Sequence, residues 1–96
     1  MIKATVGRVV WYHPADSDPT PKFRGEPLAA IVARVHSDRL INLTVFRADG
    51  ITYGRHDVQL VQDGDQRPTE RFAEWMPFQK GQAMKTDELE KAHAVR

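Results

Sequence analysis

Asp49-Gly50 stands between two apolar runs, LINLTVFR at residues 40–47 and ITY at residues 51–53. An Asp-Gly pair so placed supplies the positive backbone φ that a tight hairpin demands, so the two runs are predicted to be paired antiparallel strands. Within residues 40–47, Ile41, Leu43 and Val45 alternate against Leu40, Asn42, Thr44 and Phe46, the period-2 pattern of a strand. Residues 5–13, TVGRVVWYH, are rich in β-branched and aromatic types, with Gly7, Val9 and Trp11 alternating against Arg8, Val10 and Tyr12. Residues 28–36, LAAIVARVH, are nearly continuously apolar. Alanine favours helix there. Pro27 in front, the β-branched Ile31, Val32 and Val35, and the short length point instead to a central strand. Ser37-Asp38-Arg39 makes a tight connection to the next strand. After the hairpin, the turn formers Gly54-Arg55-His56-Asp57 interrupt the chain, and residues 58–61 resume as a fifth short segment or the far side of a bulge.

The connecting segments are equally marked. Pro14, Pro19, Pro21 and Pro27, with Asp16, Asp18, Glu26 and Gly25, oppose both helix and ladder pairing, so residues 14–27 read as a long loop. Phe23, between Lys22 and Arg24, either pins that loop to the core or faces a partner. Residues 62–69, with Gly64 and Pro68, read as a solvated loop. Phe72, Trp75 and Met76 fall at i, i+3 and i+4, the spacing of a short helical turn that would end before Pro77 and cap the barrel. From residue 79 on, only Met84, Leu89 and Val95 are large and apolar, too few to bury a helix face. Thr86 or Asp87 would cap a helix running to Ala94, with Asp87 and Glu90 spaced for a capping box; a marginal helix or a disordered tail is expected, orderable by a partner.

A chain of 96 residues has room for one small core. Residues 1–77 are therefore taken as a single small β-barrel domain and residues 78–96 as a charged tail. Fourteen Lys and Arg against thirteen Asp and Glu leave a net charge of +1, so any basic surface is local. With no cysteine, disulfides and thiolate metal sites are excluded. The first residues run into a strand without the apolar stretch of a signal peptide or membrane span, which suits a cytoplasmic protein with no membrane association.

The strand TVGRVVWYH followed by PLAAIVARVHSDRLINLTVFRADG resembles a family of small bacteriophage and prophage proteins of unassigned role. The places typical of that family are held here by Val6-Gly7-Arg8, Tyr12, Ala30-Ile31-Val32 and Trp75, and the likeness covers roughly residues 5–77. It implies an SH3-like small barrel from a phage or prophage genome, in a bacterial host cytoplasm. It implies no functional residue, and the family's usual tail is shorter than residues 80–96.

Among groups that carry chemistry, His13, His36 and His56 each fall near a strand end, which invites a metal hypothesis. They share no ligand spacing, and no acidic residue sits at a set offset, so hydrogen-bonded or surface histidines are expected and no metal or other cofactor is assigned. Asp16 and Asp18 lack the further ligands a calcium loop needs and read as solvated loop charges. No glycine-flanked serine and no phosphate loop exists, so an enzyme is not expected and no small-molecule substrate is evident. Trp11, Trp75 and Phe46 are core candidates. Tyr12, Tyr53 and Trp75, with Phe23, are the candidate protein-binding residues, by analogy with barrels whose aromatics line a peptide groove. Arg8, Arg34, Arg47 and Arg55 would make a nucleic-acid platform beside Tyr12 or Tyr53 if one sheet face presented them together.

The sequence thus predicts a mainly β, SH3-like antiparallel barrel of about five strands, closed by a short turn of helix or strand near Trp75. Its expected role is non-enzymatic, binding a protein partner or a second copy of itself as a homo-oligomer; the alternative is a nucleic-acid-binding barrel.

Overall fold

Gly50 takes φ +88°, its N–H donates to Arg47 O at 2.8 Å, and Arg47 N–H donates to Ile51 O at 2.8 Å, so the Asp-Gly hairpin forms where the sequence puts it. Asp49 adds a local cap, its Oδ1 accepting from Ile51 N–H at 3.1 Å. The computed structural model describes residues 1–19, 22, 24–82 and 85. Five strands, β1 (Val9–His13), β2 (Leu28–Ser37), β3 (Leu40–Phe46), β4 (Thr52–Val61) and β5 (Phe72–Glu74), close into a barrel in chain order. Neighbours β1 to β4 pair antiparallel; β5 pairs antiparallel with β1 and parallel with β4, which completes the closure. The mainly β, small-barrel expectation is met.

Three boundaries differ from those predicted, each for a physical reason. The first strand begins at Val9 rather than residue 5, because Gly7 at φ +93° turns the chain; its N–H donates to Val32 O at 2.8 Å and Val32 N–H donates to Arg8 O at 2.9 Å. Of the two expectations for residues 58–61, the far side of a bulge is met and a separate fifth segment is not, because the interruption at residues 54–57 does not end a strand. β4 runs through it as a bulge, in which Ile41 pairs with Val58 and Leu43 with Arg55, so that Asn42 faces the extra residues; Asp57 takes φ +54° there. The fifth strand is therefore Phe72–Glu74, not residues 58–61. Its backbone finds partners in Trp11–His13 and in Leu60 and Val61, and that pairing overrides the helical spacing of Phe72 and Trp75.

The short helix expected near Trp75 starts two residues after it. Residues 77–82 form α1, with Pro77 at the first position, where its missing N–H costs nothing. Gln79 Oε1 accepts from Met76 N–H at 2.9 Å, the glutamine half of a capping box, while Gln79 Nε2 donates to Val9 O at 2.8 Å and ties the helix to β1. The capped helix predicted to run to Ala94, and the order of the tail beyond residue 85, lie outside the described residues, as does Phe23.

The core is one cluster. Val10 and Tyr12 of β1, Ala30 and Val32 of β2, Ile41, Leu43 and Val45 of β3, Val58 and Leu60 of β4, and Trp75 are buried to 2 % exposure or less. The amino-terminal segment plugs one end: Ala4 is buried in the cluster and Ile2 packs against it. Gln62 holds that plug. Its Oε1 accepts from Ile2 N–H at 3.1 Å, and its Nε2 donates to Ile2 O at 2.9 Å and to Asp38 O at 2.8 Å. Gln62 is only 3 % exposed, so the expected solvated loop begins after it. Among the described residues no helix is long and apolar enough to cross a membrane.

Candidate interaction surface

Strand parity places the side chains. With Val10 and Tyr12 pointing into the barrel, Val9 and Trp11 point out, and the register carries that face across the sheet: Val9 lies opposite Ile31, Trp11 opposite Ala29, and Ile31 opposite Thr44. Continuing the same register sets Ala29 beside Phe46. The outer face of β1, β2 and β3 thus carries an uncharged band of Val9, Trp11, Ala29, Ile31, Thr44 and Phe46, bordered farther along β2 and β3 by the exposed Arg34 opposite Asn42. The solvent side of an antiparallel sheet is ordinarily polar. Val9 is 37 % exposed, Ala29 is exposed, and Trp11, Ile31 and Phe46 are half-buried. Where Gln79 joins α1 to Val9, Phe78 stands 72 % exposed.

At one end of the band Glu26, Pro27, Leu28, Ala29, Phe46, Arg47 and Ala48 line a shallow, open groove of about 210 Å³. That is below the roughly 300–1,000 Å³ of sites that enclose small ligands. Arg47 Nη2 meets Asp49 Oδ2 at 2.8 Å, whereas Glu26 makes no side-chain contact with another described charge.

Of the predicted protein-binding residues, Tyr12, Tyr53 and Trp75 are placed elsewhere, and Phe23 lies outside the described residues. Tyr12 and Trp75 are both 0 % exposed and belong to the core, so neither can line an open groove; the barrel needs their volume inside. Tyr53 lies opposite Val45, packs partly against the core, and carries the Arg55 guanidinium 4.3 Å from its ring centroid. Trp11 and Phe46, expected in the core with Trp75, are instead on the outer face.

The four arginines do not share a platform. Arg47 is engaged with Asp49 in the hairpin. Arg55 donates from Nη2 to Asp18 Oδ1 at 3.0 Å and from Nε to Asp18 Oδ2 at 3.3 Å, while the Tyr12 hydroxyl lies 3.5 Å from the same Oδ2. The Asp18 side chain is 6 % exposed, so it is a buried anchor that fastens the proline loop to the barrel, not the solvated charge expected. Burial first, and then the Asp18 carboxylate, hold the Tyr12 phenol above its ordinary pKa. Arg8 lies 5.7 Å from the Trp75 ring centroid, and Arg34 is exposed on β2.

The histidines divide between the two ends of the barrel. His36 Nε2 donates to Asn42 Oδ1 at 2.9 Å and lies 3.4 Å from Asp57 Oδ1, and His56 Nδ1 lies 3.3 Å from Asp57 Oδ2, all at the β4 bulge. Among the described residues no group of three His, Asp or Glu is arranged to hold a metal ion. His13 stacks on Phe72 at 4.5 Å, with its Nε2 2.8 Å from Glu74 Oε2, and Arg67 donates to Glu74 Oε1 at 3.0 Å. Burial lowers the His13 pKa most, Lys22 and Arg67 lower it further, and Glu74 opposes them.

A stability prediction follows from the sign of that shift. The folded state holds His13 neutral below the pKa of about 6.5 that it has when unfolded, so its contribution is complete above that value and is lost as pH falls through it. The urea midpoint of the wild type is expected to drop between about pH 7 and pH 5. In His13→Phe, which keeps the stack on Phe72, that drop should be smaller. An identical pH profile in the variant would remove His13 as its source.

Comparison with protein-family models, with curated proteins and with solved structures gives no match.

Proposed function

We propose that this chain is a non-enzymatic binding or assembly module that works through protein contact on the outer face of β1, β2 and β3. One observation carries the proposal: a barrel with a single core presents a second, uncharged apolar band on the outside of three consecutive strands. Contiguous exposed apolar surface on a small soluble domain marks a contact site more often than scattered single residues do. A phage or prophage setting rests on the strand patterns around Val6-Gly7-Arg8 and Ala30-Ile31-Val32 alone. Nucleic-acid binding draws no comparable support, since Arg47 and Arg55 already face carboxylates.

The test is site-specific photocrosslinking in the native cell. A photoreactive residue at Ile31, in the middle of the band, should give covalent protein adducts; the same group at Gln59, exposed on β4, should give few. Equal yields at both sites, or none at Ile31, would contradict the proposal.

A further inference from the structure

We propose that the partner on this face is a second copy of the chain, docked about a two-fold axis that runs along the strands between the outer surfaces of β2 and β3. The inference rests on the face being a protein-contact surface, and it adds the identity of the occupant. Three features favour a self-complementary contact.

Shape is the first. Across the band Trp11 and Phe46 flank Ala29, so each copy carries two aromatic ridges with a low strip between them. An isologous contact uses the same patch twice. Turning one copy over the other sets Phe46 of each above the Ala29 strip of its partner, so that ridge fills hollow on both sides. Aromatic residues in an uncharged centre are the composition of interface cores.

Charge is the second. Glu26 and Arg47 stand together on the rim of the groove at the end of the band. A two-fold operation brings Glu26 of one copy toward Arg47 of the other, twice. Glu26 has no ion pair of its own among the described residues, and Arg47, exposed and shared only with Asp49, has donors to spare. A partner of one strong charge would find one of these two groups repulsive; a second copy matches both.

The third is the net charge of +1, which leaves little long-range repulsion between copies. A strongly charged chain would oppose its own association even with a matching patch.

Sedimentation velocity on the purified full chain, from about 1 µM to about 1 mM, covers the weak affinities of a small interface. The wild type should pass from 10.9 kDa to twice that mass as concentration rises. Ala29→Arg, which places a long charged side chain on an exposed strip, should weaken dimerisation at least tenfold. Glu26→Arg alone should weaken it, and Glu26→Arg combined with Arg47→Glu should restore it, because swapping both signs preserves the pairing only where each group meets its opposite in the other copy. Should Ala29→Arg lose its β circular dichroism, the rim pair decides instead.

A monomer throughout the range, or a dimer that survives Ala29→Arg with its fold intact, would overturn the proposal. A monomer whose Ile31 crosslinker still captures a different protein would remove self-pairing and leave the contact face standing. Absence of both would remove the two together.

Discussion

Replacing Trp75 by alanine is expected to lower the unfolding free energy by about 3–5 kcal/mol, the range for emptying a large aromatic site in a packed core. Trp75 is fully buried and directly follows β5, the three-residue strand that closes the barrel. β5 has few bonds of its own to hold it, so loss of the indole removes the packing that seats it between β1 and β4. A chain of this length has about 5–14 kcal/mol in total, so the variant should unfold at much lower urea than the wild type, or be unfolded from the start. Trp75→Phe should cost well under half as much. The indole N–H is buried without a hydrogen-bond partner in the described structure, so phenylalanine gives up packing but no bond. Urea titrations followed by circular dichroism measure both. Equal losses for the two substitutions would show that ring size alone is not what seats β5.

The second large effect is expected at Gln62. Gln62→Leu keeps nearly the same volume, so no cavity term enters, yet it strips three hydrogen bonds from backbone groups at Ile2 and Asp38. Each buried polar group left unpaired costs about 1–3 kcal/mol. The short amino-terminal segment can relieve part of that by peeling into water, and a net loss of about 2–4 kcal/mol is expected. Peeling has its own signature. The Ala4 amide, which donates to Asp38 Oδ1 at 3.1 Å, should lose its hydrogen-exchange protection while amides of β3 keep theirs relative to global unfolding. Unchanged protection at Ala4 would show that Gln62 does not hold the plug.

The parts of the fold that could be read from sequence are those whose cause is local. Asp49-Gly50 has one low-energy role between two apolar runs, and residues 28–36 and 40–47 carry β-branched residues at strand spacing, so β2, β3 and their hairpin with β4 were legible. Phe72–Glu74 has no such signature. Its strand state comes from partners at Trp11–His13 and Leu60–Val61 far away in the chain, and the local i, i+3 spacing pointed to a helical turn. Gln62 likewise looked like the start of a polar loop, because its role is defined by Ile2, sixty residues away.

The candidate site was harder still. In VVWYH both parities are apolar, so nothing local says whether Tyr12 or Trp11 turns inward, and of the two binding candidates that lie in the core, Tyr12 and Trp75, only Trp75 was also legible as a core residue. A signal was nonetheless present. β1 and the first half of β2 are apolar on both faces, and among the described residues the regular elements are the five barrel strands and the short α1, with no second sheet over the outside of the barrel. Surplus apolar residues had to sit on the outside, where Val9 is exposed and Trp11, Ile31 and Phe46 are half-buried. Asp18 reads from sequence as a solvated loop charge, because nothing local ties it to Arg55, thirty-seven residues away.

The most direct measurement of the central claim separates folding from contact in one variant. Ala29→Arg carrying the photoreactive group at Ile31 should melt within a few degrees of the same protein with Ala29 intact, since exposed substitutions usually cost under about 0.5 kcal/mol. Its crosslinking from position 31 should be lost. Undiminished crosslinking at an unchanged melting temperature would contradict the assignment of the outer β1, β2 and β3 face as the contact surface.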